Sequence, residues 1–377
     1  MATFEKSHFL QMKVLLSILI SLLSFHVLFG QWELIDSPVN DAWVSHLAVT
    51  EDHIWAVSVW DGFWKQNKAS GQWEIITSLP DSIFIVDIAT QSGIVFVLDY
   101  EYKLYRSNDF GASWENISPQ NVQDYFSELH VDGSSIFIGG NIESNTSRLY
   151  VSEDTGNVWK PFTFEIGDET IWPAMFARKG NTIFTATDEK IYRSFDNGGL
   201  WEELLNGPDF EEGCPLCEIE QLFTSDSMVF AVEWNDYYVS KRLHVTLDNG
   251  TTWEIVDFGY PSSGFFAGFT WYISILNILM ALNYYGNEGI YVSFNGGHSS
   301  VLFNDGLNTT NVRDIVSDDD YLYAGTGGNG VWRRNIADLN TVSTQSILQT
   351  REYQSTQIPQ MEILLLKLIL HYQVKLI

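Results

Sequence analysis

Four acids raise the first chemical question. Asp188 and Glu189 lie in TDEK, and Glu233 and Asp236 in EWND. A carboxylate from the first pair facing one from the second would supply the two groups that glycosidic cleavage needs, one of them raised in pKa. Carboxylate pairs come easily in this chain, which has 48 acids against 20 bases and a net charge of −28. So much negative charge repels phosphate backbones and excludes nucleic acid as a partner, while cations, neutral sugars and basic protein patches fit it. Cys214 and Cys217 are the only cysteines. They are too few for a four-cysteine zinc site and lack the βαβ context of a redox pair, which leaves a local disulfide or two thiols. The run Asp318, Asp319, Asp320 reads as a solvated turn. With no His-x-x-His or calcium-loop spacing, no metal and no cofactor are expected.

The elements that must position these groups are repeated. Tryptophans Trp32, Trp73, Trp114, Trp159, Trp201 and Trp253 follow one another at intervals of 41, 41, 45, 42 and 52 residues. Four are preceded by one spelling: Ser107, Asp109, Gly111, Trp114; Ser152, Asp154, Gly156, Trp159; Ser194, Asp196, Gly198, Trp201; and Thr246, Asp248, Gly250, Trp253. A further copy keeps Ser293, Asn295 and Gly297 but has Ser300 for tryptophan, and KQNKASGQW before Trp73 has lost the aspartate. Each period holds about four short β-branched or aromatic runs separated by Gly, Asn and Asp turns, which is the pattern of a propeller blade. In the recurring turn the carboxylate accepts backbone N–H bonds and the glycine takes angles a Cβ forbids. The tryptophan presents an apolar face beside its own sheet. These sixteen residues are therefore read as structural.

The reading is an all-β, single seven-bladed β-propeller of four-stranded blades over residues 31–337. Its ring is closed by residues 31–36 pairing with 329–335, which removes the exposed edges of an open array. Residues 1–30 read as a signal peptide, since Lys13 precedes the apolar run VLLSILISLLSFHVLFG. No transmembrane span is expected in the mature chain. Residues 338–377 read as a linker and an atypical tail, with a truncated or frame-shifted sorting domain as one reading of it.

The repeat resembles the Asp-box, or BNR, repeat of sialidases, sortilin-type receptors, xyloglucanase-like glycosidases and a photosystem assembly factor. The whole chain is most like secreted bacterial propellers of the type IX secretion kind. That resemblance implies a ligand face opposite the Asp-box turns, made of the loops between second and third strands and between blades. Mapped onto this sequence, the face carries Trp60, Asp61, Glu101, Tyr102, Glu143, Trp172 and Trp234, with Asp188, Glu189, Glu233 and Asp236 as the acids of a glycoside-hydrolase alternative. Aromatic faces stack on sugar rings and carboxylates bind hydroxyls or cations. A sialidase would need an arginine cluster and an early Arg-Ile-Pro motif. The motif is absent, Arg106 and Arg193 precede the turns, and only Arg178 and Arg313 fall near the centre. The expectation is thus a secreted or cell-surface monomer that binds a glycan or an extracellular protein without catalysis.

Overall fold

The computed structural model describes residues 31–36, 41–58, 60–80, 83–101, 103–120, 126, 128–140, 148–187, 189–204, 217–235, 240–256, 270–275, 278–283 and 289–339. The chain divides into two units. Residues 33–333 hold the blades, and the other unit comprises residues 1–32 and 334–377. In the latter, Arg334 pairs with Asp338 at 3.5 Å. The expected signal peptide, and the expected C-terminal tail beyond residue 339, lie outside the described residues.

Seven antiparallel four-stranded sheets follow one another along the chain. Blade 1 is Val44–Val49, His53–Ser58, Gly62–Asn67 and Trp73–Ile75, and blade 2 is Ile85–Gln91, Ile94–Asp99, Leu104–Ser107 and Glu115–Asn116. Blade 3 is Glu128–Asp132, Ser135–Gly140, Arg148–Ser152 and Lys160–Pro161, and blade 4 is Met175–Lys179, Thr182–Ala186, Ile191–Ser194 and Glu202–Glu203. Blade 5 is Cys217–Thr224, Val229–Asn235, Ser240–Thr246 and Glu254–Val256, and blade 6 is Thr270–Ile275, Ile278–Asn283, Gly289–Ser293 and Val301–Leu302. Blade 7 takes Val312–Ser317, Tyr321–Thr326 and Val331–Asn335 from the end of the chain and Glu33–Leu34 from its start. The closing register is Glu33 opposite Arg333 and Leu34 opposite Trp332, extended by the Ile35 N–H donating to the Val331 carbonyl at 2.9 Å. The expected ring closure is therefore present.

Burial follows position in the blade. Second strands are buried on both faces, because each blade is covered on both sides by its neighbours; Val95–Leu98 are at most 1% exposed. First strands are innermost. Those of blades 1 and 2, 2 and 3, 4 and 5, 5 and 6, and 7 and 1 touch, and they line the central channel.

The recurring turn repeats its hydrogen bonds copy by copy. The Ser107 hydroxyl donates to Asp109 Oδ1 (2.8 Å) and accepts from the Gly111 N–H (2.7 Å), while Asp109 Oδ1 accepts the Ser113 N–H (2.9 Å). The same set occurs at Ser152 and Asp154, at Ser194 and Asp196, and at Thr246 and Asp248. Even the decayed copy keeps it, with Asn295 Oδ1 accepting from Ser293 and from the Ser299 N–H, each at 3.0 Å. Gly111 has φ +82°, and a Cβ there would stand 3.1 Å from the Ile76 side chain. Bonds from Ser113, with a further one from Ser107, hold the Asp109 carboxyl down at about 2, so it stays an acceptor.

The tryptophans differ from expectation. Trp73, Trp114, Trp159, Trp201 and Trp253 each pack at the junction with the preceding blade, in clusters that hold residues of both sheets. Trp114 joins the cluster of Trp55, Phe63 and Val57 from blade 1 with Ile88 and Val95 from blade 2, and Trp253 that of Phe184 and Ile191 from blade 4 with Leu222 and Val229 from blade 5. The residue before the turn ties blades in the opposite direction. Lys65 donates to the Phe110 carbonyl at 2.8 Å, Arg106 to the Thr155 carbonyl at 2.6 Å, and Arg193 to the Asn249 carbonyl. Each acceptor is a left-handed residue in the next blade's turn (φ 53–60°), and each cation also pairs with Glu74, Glu115 or Glu202 of its own outer strand.

One element breaks the repeat. Phe164–Ile166 and Glu169–Ile171 form a separate hairpin between blades 3 and 4. Thr170 and Ile171 belong to it. The intervening Pro173 lacks the N–H that a ladder needs, and the inner strand starts at Met175.

Candidate functional site

Successive turns of an antiparallel blade alternate between its ends. The turns between second and third strands therefore share the face opposite the Asp-box turns, and the sequence-predicted residues are best located blade by blade. Trp60 stands at the tip of its turn, 81% exposed. Asp61 shapes that turn: its carboxylate accepts from the Ser58 hydroxyl (2.9 Å), its N–H donates to the same oxygen (3.2 Å), and its carbonyl accepts from the Trp64 indole (2.8 Å). Glu101 is exposed and paired with Lys103, which lowers its pKa. Glu189 is exposed, and its N–H donates to Thr187 Oγ1 at 3.3 Å. Trp172, 39% exposed, follows the separate hairpin. Tyr102, Glu143, Asp188 and Asp236 lie outside the described residues, as does Cys214. Cys217 opens the inner strand of blade 5.

Two residues expected in a loop lie in a strand. Glu233 and Trp234 belong to Val229–Asn235, because the ladder with Ser240–Thr246 runs on to Asn235 opposite Ser240. Glu233 is 1% exposed, and its Oε2 lies 2.7 Å from His244 Nε2, itself 1% exposed. Arg242 approaches the other oxygen at 3.9 Å. Ser58 and Asp99 hold the corresponding place in blades 1 and 2, and there they bond the adjoining turn. In blade 5 the ladder runs on past Glu233 to Asn235 opposite Ser240, and Glu233 bonds across the sheet instead.

The structure adds aromatic residues that the sequence reading passed over. Phe84 and Tyr100 extend the ladder of blade 2 above the sheet, the Tyr100 N–H donating to the Phe84 carbonyl at 2.7 Å. They are 47% and 63% exposed, with ring centroids 6.1 Å apart at 83°. Trp43 holds the matching place in blade 1. It is 36% exposed and lies 3.9 Å from the Arg313 guanidinium of blade 7, whose pKa burial lowers to about 10. A signal was present: AWVSHLA and IFIVDIA both put an aromatic before the inner strand. Arg178, by contrast, sits toward the Asp-box side, paired with Asp132 and donating to Asn197 Oδ1 at 2.9 Å.

The inner strands of blades 1, 2, 5 and 7 share a bulge near the mouth of the channel. The bulge lets side chains reach the neighbouring strand. Asp314 Oδ2 accepts the Leu47 N–H at 2.6 Å across the seam of blades 7 and 1, and Asp87 Oδ2 accepts the Leu129 N–H at 2.9 Å between blades 2 and 3. Asp318 strengthens the same seam, accepting from Lys68 at 2.7 Å and from the Tyr323 hydroxyl at 2.8 Å. Among the described residues no three His, Cys, Asp or Glu side chains gather as a metal site.

Burial raises the Asp314 carboxyl to about 6. A carboxyl raised on folding favours the folded state while protonated and costs stability as pH climbs from about 4 through 6. Asp314→Asn keeps an acceptor for Leu47. It is expected to raise stability at about pH 7.5 by about 1–2 kcal/mol, allowing for channel water, and to lose that advantage near pH 4. Urea midpoints at the two pH values check it; an equal effect at both would refute the assignment.

The BNR-Asp box repeat model matches residues 104–117, the third strand and turn of blade 2. No curated protein matches the chain in sequence. Solved propellers share the fold. YCF48 bound to D1 peptide superposes with TM-score 0.55 at 16% identity, covering 81% of this chain and 96% of that one. Virginiamycin B lyase from Staphylococcus aureus with quinupristin gives 0.58 at 12%, covering 81% and 99%. The extracellular domain of BT4673 from B. thetaiotaomicron gives 0.55 at 13%, covering 81% and 40%. The chain is a seven-bladed β-propeller with BNR-Asp box repeats, a fold shared by binding proteins and enzymes. Among the described residues no helix is long and apolar enough to cross a membrane.

Proposed function

We propose that this protein is an exported, non-catalytic binding module whose ligand, a glycan or an extracellular protein, meets the ring face opposite the Asp-box turns. One observation carries the reading: Phe84 and Tyr100 stand above blade 2 as an exposed edge-to-face pair, with Trp60 exposed on the adjoining blade. Large exposed rings are costly to leave in water and are the side chains that dominate recognition energies. Asp61 and Glu101 add negative charge to the same face. The peptide bound by YCF48 supports a protein ligand. The stacking rings equally suit sugar. The buried bond of Glu233 to His244 weighs against Glu233 serving as an exposed acid or base.

The test is a glycan array and a peptide library probed with the full chain, alongside a glycoside hydrolysis screen. Trp60→Ala and Tyr100→Ala are each expected to weaken binding about tenfold, on the order of 1–2 kcal/mol, with melting unchanged. Undiminished binding by both variants would refute this face, and turnover abolished by Glu233→Gln would overturn the non-catalytic reading.

A further inference from the structure

The channel is not uniform. One cavity of about 370 Å³, lined by the inner strands of blades 1, 2, 6 and 7, presents only aliphatic side chains and the hydroxyls of Thr90, Ser274 and Ser317. A second, of about 410 Å³, shares Ile273 and Ser274 with it but runs between blades 3 and 4. There Phe137 and Leu149, from the second and third strands of blade 3, reach the cavity together with Phe176 and Met175 of blade 4. Its volume falls in the range of small-molecule sites, about 300–1,000 Å³.

The walls of the second cavity define a chemistry. Phe137 and Phe176 stack with centroids 3.7 Å apart, and the exposed His130 ring lies 5.2 Å from Phe176 at 48°. Among the described residues lining it, Asp87 is the sole carboxylate, and there is no lysine or arginine. That carboxylate is held in place by two backbone bonds, from Ile88 at 2.7 Å and Leu129 at 2.9 Å. Arg178 lies 5.7 Å from the Phe176 ring but is paired with Asp132. His130 opens onto the channel but is surrounded by the blades, and that desolvation lowers its pKa. Gln221, Thr224 and Ser274 complete the polar lining. Aromatic faces attract cations, and a fixed carboxylate in partly desolvated surroundings favours them further. The net charge of −28 adds a long-range preference of the same sign.

We infer that this cavity binds a small organic monocation, an amine with an aromatic or branched apolar body, its charge toward Asp87 and its body against Phe176, Met175 and Leu222. The site is separate from the exposed aromatic face, and the inference stands whether or not that face binds a glycan.

The full chain is titrated with phenethylamine, phenethyl alcohol and phenylacetate, which share one ring and differ in charge. Calorimetry and thermal shift are the readouts, with the His130 imidazole resonances followed by NMR. The amine is expected to bind at least tenfold more tightly than the alcohol, and the acid not at all. Asp87→Asn is expected to remove the preference of amine over alcohol. Ser274→Phe, which fills the cavity without changing charge, is expected to abolish binding of both, whereas Trp60→Ala leaves it unchanged. Equal affinity for the acid, amine binding that survives Ser274→Phe, unmoved His130 resonances, or no binding of the amine at millimolar concentration would each overturn the inference. If Asp87→Asn fails to fold, Ser274→Phe and the three-ligand comparison on the unmodified chain still decide it.

Discussion

Replacing His244 by leucine is expected to destabilise the protein by about 3–5 kcal/mol, whereas replacing Glu233 and His244 together by leucine should cost less than about 1 kcal/mol. The single change leaves the Glu233 carboxylate inside a strand that neighbouring blades cover on both faces, with Arg242 at 3.9 Å as its remaining charged neighbour among the pairs seen here. Taking a carboxylate out of water is expensive, and a guanidinium at that distance returns part of the cost. The double change removes the charge with its partner and puts apolar groups among apolar neighbours in the same strands: Ala231 and Val232 beside Glu233, and Leu243 and Val245 beside His244, are all buried. The Arg242 side chain is 27% exposed, so solvent screens its charge in the double variant. Urea denaturation of the four proteins in the cycle measures the coupling. A loss below about 1 kcal/mol for His244→Leu would mean that water reaches Glu233, and the buried-pair account would fall.

The fate of Glu233 marks the limit of what the sequence discloses. The repeated turn was legible because its chemistry is local. A hydroxyl, a carboxylate and a glycine within five residues satisfy one another wherever the fold puts them, and their spacing counts the blades. The closing strand was legible for a related reason: three terminal strands lacked a fourth, and an unpaired edge is costly. Whether Glu233 faced solvent depended instead on ladder length. The interval of 52 residues before Trp253 signals an insertion but does not say whether the extra residues lengthen a loop or two strands. Here they also lengthen the strands, Cys217–Thr224, Val229–Asn235 and Ser240–Thr246. The direction in which each tryptophan packs was hidden as well. Periodicity gives its place in the repeat, while its neighbour is set by how successive sheets stack. The pairing of Trp43 with Arg313 joins residues 270 positions apart across the closure of the ring, a contact that only the closed fold creates. Trp43 and Phe84 were legible, since AWVSHLA and IFIVDIA both put an aromatic before the inner strand.

Trp201→Ala should be the most damaging of the tryptophan replacements, at about 3–5 kcal/mol, against about 2–3 kcal/mol for Trp114→Ala. Both rings seal a junction with the preceding blade, but Trp201 joins three elements. Its ring stacks on Phe164 of the separate hairpin at 4.3 Å and 16°, meets Phe162 edge-on at 5.8 Å, and packs on the cluster of Phe137, Leu149 and Val151. Phe164 in turn meets Tyr192 edge-on at 5.2 Å. Removing the indole therefore opens the junction of blades 3 and 4 and takes away the ring on which the hairpin rests. A two-stranded hairpin is marginal without such support. The hairpin should then exchange its amide protons at the rate of local opening, while blades 1, 2, 6 and 7 keep their protection. Trp114 has no hairpin to hold. It meets Phe63 at 6.1 Å and donates its indole N–H to Ser78 at 3.1 Å, so its loss leaves a cavity at one blade junction. Denaturant midpoints with hydrogen exchange resolved by segment would separate the two cases. Equal losses with an undisturbed hairpin would show that the indole of Trp201 seals its blade junction and nothing more.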